Sequence, residues 1–98
     1  MNRESQMKIV YIICRYYGVD ISRFDELLKN REKKFMLLLL LKNSNFFDSN
    51  ELSDMLGIDS MNKMRSTIKR AEEKFLINSF FRKRYIELEE KIKKQIDY

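Results

Sequence analysis

The stretch FMLLLLL, from Phe35 to Leu41, decides the fold class of this 98-residue chain. A run that is apolar on every side belongs to an element surrounded by others, either a central helix or a buried strand. Leucine and methionine favour the helix, and no neighbouring segment alternates like a partner strand. The run is far shorter than the roughly 18 to 20 residues that cross a bilayer, and Lys33, Lys34 and Lys42 bracket it. We therefore expect a buried central helix in a soluble protein.

The composition of the chain agrees with a helical protein. Hydrophobic residues make up 44% of it, proline is absent and glycine occurs twice, which suits helices and disfavours a fold with many tight turns. The length is enough for one small domain. We expect an all-α fold, a compact bundle of about six helices that forms a single domain over residues 1–98.

The sequence is poor in the residues that catalytic sites and metal sites commonly use. Cys14 is the single cysteine and histidine is absent, which excludes Cys/His zinc sites and Cys-His or Ser-His catalysis. The sequence has no Gly-rich loop followed by Lys-Ser/Thr for phosphates, and no secretory signal is visible. We expect a cytoplasmic protein that is not an enzyme and has no metal and no cofactor, with Cys14 as a small half-buried hydrophobe.

Apolar periodicity and capping residues predict where the helices lie. Ser22 can cap the second helix, with Asp25 in the capping-box position. The six predicted helices are about Glu4–Tyr17, Ser22–Lys29, 30–42, Ser49–Leu56, 60–78 and Phe80–Ile96. Gly18 and Gly57 end the first and fourth of them. Ser79 is the weakest boundary, so the last two could be one long bent helix.

Four of the predicted helices have an apolar stripe that should face the core. The residues are Ile9, Val10, Ile13, Cys14, Tyr16 and Tyr17 in the first, Phe24, Leu27 and Leu28 in the second, Met61, Met64, Ile68, Ala71 and Phe75 in the fifth, and Phe81, Tyr85, Leu88, Ile92 and Ile96 in the sixth. Asp48 with Glu51, and Phe47 with Leu52, have the spacing of a capping box and a hydrophobic staple at the start of the fourth.

The segment ELSDMLGIDSMNKM, residues 51–64, reads as two helices joined by a tight turn at Gly57. That arrangement predicts a helix-turn-helix over about residues 49–78, whose second helix can enter the major groove of DNA. On the helical wheel, the side away from the core is polar and cationic in its first half: Asn62, Lys63, Arg65, Ser66, Lys69 and Arg70. Acidic residues follow only at Glu72 and Glu73. A solvated charge face, the alternative, usually mixes both signs along its whole length.

The formal net charge of +5 permits an anionic partner, and other basic groups accompany the predicted recognition helix. Lys29, Arg31, Lys33 and Lys34 precede the central helix, whose first N–H groups could meet a phosphate; a solubilising cap is the alternative. Arg82, Lys83 and Arg84 begin the last helix, where the helix dipole disfavours cations. That placement suggests a role other than stability.

The order of segments resembles the C-terminal DNA-binding domain of DnaA, the bacterial replication initiator. The resemblance is carried by CRYYGVDISRFDELLKNREKKFMLLLLLK, then ELSDMLGID and TIKRAEEKF, and covers about residues 7–92. It implies an all-helical fold of the Trp-repressor group and DNA contacts from a basic turn and a recognition helix. By position, Arg31 and Lys34 correspond to the turn, and Lys63, Arg65 and Lys69 correspond to the helix.

The chain departs from that family after Gly57. The family's Asp-His followed by Ser/Thr, Thr and Val is replaced here by Asp59, Ser60, Met61, Asn62 and Lys63. The family's base-reading residues therefore do not transfer, and its usual DNA site should not be assumed.

Two functional hypotheses follow from these patterns. The first is a small DNA-binding transcription or replication regulator that contacts double-stranded DNA through Arg31, Lys33, Lys34, Asn62, Lys63, Arg65, Ser66, Lys69 and Arg70. The second is a protein-interaction or dimerisation module of the same fold that has lost sequence-specific reading. In that case the apolar stripe of the last helix would serve a partner or a second copy of the chain.

Overall fold

In the computed structural model, the central helix, α3 (Arg31–Lys42), packs against each of the other four α-helices whose bounds lie within the described residues. All seven residues from Phe35 to Leu41 are buried, which confirms the prediction from the apolar run. The elements around α3 are α1 (Asn2–Tyr17), a 3₁₀ turn (Ile21–Arg23), α2 (Asp25–Lys29), α4 (Met61–Ile77) and α5 (Ser79–Gln95).

The structure describes residues 2–44, 50, 53–54, 57 and 60–96, and within these ranges it is all-α and without strands. Of the predicted fourth helix, Asn50, Ser53 and Asp54 have helical backbone. The capping box and staple predicted at its start lie outside the described residues. The radius of gyration is 12.4 Å, close to the roughly 13 Å typical of a compact domain of 100 residues.

The predicted core stripes are buried, with one exception. The fully or nearly fully buried side chains include Ile9, Val10, Ile13, Cys14, Leu27, Met64, Ile68, Ala71, Phe81, Tyr85, Leu88 and Ile92. Tyr16, Tyr17, Phe24, Leu28, Phe75 and Ile96 pack against them while partly buried. The prediction for Met61 is wrong, since its side chain is 38% exposed. Met61 is the first residue of α4, and the buried stripe of this helix begins one turn later, at Met64.

The segment between α1 and α2 has a different capping residue from the one predicted. Gly18 follows α1 with a φ of +70°, the left-handed conformation expected after a helix end. The predicted cap at Ser22 is wrong: Ser22 donates its backbone N–H and its hydroxyl to the Asp20 carboxylate. Asp20 therefore caps the 3₁₀ turn, and α2 starts at Asp25 without a side-chain cap.

The last two helices are separate and joined by a single residue. Asn78 has an extended backbone, closes α4 with its N–H and caps α5 by accepting from the Phe81 N–H at 3.0 Å. Because one amide side chain serves as the cap of α5, the break lies at Asn78 and not at Ser79.

Two arginines at the start of α5 contact other helices. Arg82 Nη1 donates to the carbonyl oxygens of Phe75 and Leu76, at 2.8 and 3.0 Å. Arg84 Nη1 lies 2.8 Å from Oε1 of Glu32 in α3. Both arginines therefore have contacts within the fold, and a role other than stability for this basic group stays a prediction.

Candidate nucleic-acid interface

The N-terminal half of α4 presents a polar and cationic surface because its other side is fixed in the core. Ser60 starts the helix by accepting from the Lys63 N–H with its hydroxyl. Met64, Ile68 and Ala71 are then buried at helical spacing. The opposite side must face solvent, and the six predicted contact residues are all exposed there: Asn62, Lys63, Arg65, Ser66, Lys69 and Arg70.

An open cleft of about 490 Å³ separates α4 from the start of α3. Lys34 lines it from α3. The other described lining residues are Gly57, Asn62, Lys63, Ser66, Thr67 and Arg70. The fold thus joins residues of two predicted basic groups, which lie far apart in sequence, in one concave surface.

The exposed surface of α4 has two flanks. At about 100° per residue, Lys63, Thr67 and Arg70 project from the flank that faces α3. Arg65 and Lys69 project from the other flank and do not line the cleft. Asn62 and Ser66 lie between the two flanks and border the cleft. We call the two sides the cleft flank and the outer flank.

The described residues leave several of these charges without an acidic partner. The ion pairs among them are Arg23–Glu26, Lys42–Glu72, Arg84–Glu32 and Lys93–Glu89. None of these pairs uses Lys34, Arg65, Lys69 or Arg70, and none of the cleft's described lining residues is acidic. The first acid along α4, Glu72, lies 2.6 Å from Lys42 Nζ. Among the described residues that line the cleft, the charged side chains are therefore all positive, which favours an anionic ligand.

The basic residues at the start of α3 lie in different surroundings. The Arg31 guanidinium lies 5.5 Å from the centre of the Phe35 ring, and Lys33 Nζ lies 5.1 Å from the centre of the Tyr17 ring. The Asn30 side chain accepts from the Lys33 N–H, so one of the helix-start N–H groups is already used. Of the predicted contacts in this group, Lys34 lines the cleft, and neither Arg31 nor Lys33 does so.

Two residues of the cleft were missed by the sequence predictions as ligand contacts. Gly57 contributes backbone with a φ of +67°. Thr67 is half-buried, and its hydroxyl donates to the Lys63 carbonyl oxygen at 2.8 Å. The spacing of four residues from Lys63 placed Thr67 on the same flank. The sequence could not show that this flank faces α3.

No family model, curated protein or solved structure matches the chain. The resemblance to the DnaA domain is therefore carried by the quoted residues alone. Among the described residues, no helix is both long and apolar enough to span a bilayer. Nor does that part of the chain bring together three or more His, Cys, Asp or Glu side chains that could hold a metal ion.

Proposed function

We propose that the chain is a DNA-binding helix-turn-helix protein, a small transcription or replication regulator that places the N-terminal half of α4 in the major groove. The observation that carries this proposal is the arrangement of that half: six exposed polar or cationic side chains on a helix whose other side is anchored in the core. A recognition helix contacts bases mainly through its N-terminal residues.

The chemistry of the outer flank suits base edges. On this flank, Arg65 can donate two hydrogen bonds to a guanine edge, and Asn62, which lies between the two flanks, can pair with an adenine edge. Lys69 projects from the same flank one turn later and adds charge. The departure from the DnaA family after Gly57 falls on these positions. The DNA sequence that this chain recognises should therefore differ from the site that the family recognises.

The test is selection of bound sequences from a random double-stranded DNA pool. The parent protein should enrich one motif, and Arg65→Ala should lose or change that motif because it removes a candidate base contact. Lys91→Ala is the matched control, since Lys91 is exposed on α5 away from α4. Absence of enrichment by the parent, together with no binding in fluorescence anisotropy at low salt, would overturn the proposal.

A second candidate function, a dimerisation module, is favoured by one observation. Leu76, Ile77 and Phe80 are 72%, 84% and 79% exposed at the junction of α4 and α5. The stripe of the last helix, expected to serve a partner, is instead occupied by the core. These three are the most exposed of the described large apolar side chains, so a second copy of the chain would pack on the junction.

Light scattering distinguishes this candidate from the first. Dimerisation through the junction predicts a concentration-dependent dimer that Phe80→Ser dissociates. It also predicts only weak DNA binding that mixed-sequence DNA competes away. A monomer at all accessible concentrations argues against it.

A further inference from the structure

We propose that the cleft between α3 and α4 holds one phosphodiester group of the DNA backbone, while the outer flank of α4 contacts base edges. The inference rests on the proposed function and deepens it, because it divides the contact residues into two roles. Lys34 and Arg70 would bind the phosphate, and Arg65 with Lys69 would face the bases.

The chemistry of the cleft suits a phosphate. Lys34 brings an ammonium group from α3 and Arg70 brings a guanidinium from α4. A guanidinium can donate two parallel hydrogen bonds to phosphate oxygens, while an ammonium acts as a compact point charge. Ser66 adds a neutral donor at the rim, and its side chain donates to no described residue. The Thr67 hydroxyl is already engaged with the backbone.

The position of the cleft distinguishes a backbone contact from a base contact. A helix inserted in the major groove, about 12 Å wide, has the base edges ahead of it and a sugar–phosphate strand on either side. The cleft flank of α4 faces the body of the domain, where α3 begins. A DNA strand that borders the groove would therefore run along this flank. Contacts of that kind fix the register of a protein on DNA without reading its sequence.

The cleft is open and larger than a single phosphate requires, which suits a phosphate still attached to a continuous strand. Its cations come from two helices that are held together by the core. Met64 in α4 and the buried run of α3 belong to the same hydrophobic cluster. The two helices that carry Lys34 and Arg70 are therefore held in place before DNA arrives, which limits the ordering cost of binding.

The test is the salt dependence of DNA binding, measured by fluorescence anisotropy on the motif selected by the parent. The logarithm of affinity falls with the logarithm of salt concentration by about 0.9 for each phosphate neutralised. Lys34→Gln and Arg70→Gln should each weaken binding and make this slope shallower, by up to about 0.9. Neither should change the motif enriched from a random pool.

Three further variants sharpen the result. Arg70→Lys retains the charge and should retain the parent's slope. Arg65→Gln should change the enriched motif, and should lower the ratio of specific to non-specific affinity by roughly tenfold. Lys91→Gln removes one exposed charge from α5 and should leave slope and motif close to those of the parent.

The outcomes separate the two proposals. If the parent binds DNA but Lys34→Gln and Arg70→Gln leave the slope unchanged, the cleft does not hold a phosphate and the proposed function stands. If either variant changes the enriched motif as Arg65→Gln does, the division of roles is wrong. If the parent binds no DNA at low salt, both proposals fall. Circular dichroism melts verify that each variant is folded.

Discussion

Arg82 reaches from the first turn of α5 to the last turn of α4, where its Nη1 atom donates to the Phe75 carbonyl oxygen at 2.8 Å. The last carbonyl groups of a helix have no partner within it, and here the guanidinium also binds the next one, that of Leu76. A cation at the start of a helix is slightly unfavourable, so the arginine at this position is explained by its contact with the preceding helix.

Replacing Arg82 with methionine should therefore destabilise the fold. Arg82→Met keeps the aliphatic stem but loses the two hydrogen bonds, and the free energy of unfolding should fall by about 1 to 2 kcal/mol. Urea denaturation followed by circular dichroism measures the change. Lys83→Met is the matched control, since Lys83 is exposed and lies equally close to the start of α5. A loss as large in the control would assign the effect to charge and not to the hydrogen bonds.

Truncating the central helix should be far more costly than truncating an exposed leucine. Leu38 is fully buried, whereas Leu76 is 72% exposed. Leu38→Ala should lower the free energy of unfolding by about 2 to 5 kcal/mol, because it removes buried apolar surface and leaves a cavity. Leu76→Ala should change it by about 0.5 kcal/mol or less. Thermal melts of both variants measure the difference, and similar losses would contradict the central position of α3.

Tyr17 should make the stability of the protein depend on alkaline pH. Burial raises the pKa of the Tyr17 phenol from 10.0 to about 12, with the Arg84 charge opposing the rise. Between these values the unfolded chain loses the phenol proton and the folded chain keeps it. The contribution of this group to stability is therefore complete below pH 10 and is lost as the pH rises through about 12.

Tyr17→Phe should remove that dependence and gain stability at neutral pH as well. The Tyr17 hydroxyl is buried and has no hydrogen-bond partner among the described residues, so its removal relieves an uncompensated desolvation cost of about 1 kcal/mol. Urea denaturation of parent and variant over the alkaline range gives the comparison, with Tyr11→Phe as the control because Tyr11 is 45% exposed. A larger alkaline loss in Tyr17→Phe than in the parent would contradict the assignment.

Cys14 should resist thiol reagents for as long as the protein stays folded. Its side chain is fully buried, and burial raises the pKa of the thiol, with the Asp20 charge adding to the rise. Because the thiolate is the reactive form, labelling with a disulfide reagent at mildly alkaline pH should be slow. It should accelerate with urea in parallel with unfolding. Rapid labelling of the native protein would show that α1 opens locally.

The burial of a residue could be predicted from the sequence where a single local pattern determines it. The run Phe35–Leu41 is apolar on all sides and has no polar side that could face water. Its burial could therefore be predicted. The stripe of Met64, Ile68 and Ala71 was equally clear because helical spacing alone defines it. Met61 has the same spacing, but it is the first residue of α4 and stays 38% exposed, and helical spacing alone does not show where along a helix the burial of a stripe begins.

Two other features, a choice between neighbouring capping residues and a tertiary arrangement of two helices, could not be predicted in the same way. The sequence offered Ser22 as a cap, yet the Asp20 carboxylate accepts both of its hydrogen bonds and moves the start of the turn. Likewise, the helical wheel of α4 predicts which face of the helix is exposed. It does not predict how that face divides into a cleft flank and an outer flank. That division depends on where Lys34 lies relative to Arg70, which only the packing of α3 against α4 determines.

The single-residue connection at Asn78 has a consequence for the order of folding. Contacts between α4 and α5 close almost no loop, whereas contacts between α1 and α5 must close most of the chain. The entropy cost of closing a loop grows with its length, and local contacts are formed first in helical proteins. The α4–α5 pair should therefore assemble as an early unit, onto which the N-terminal helix docks later.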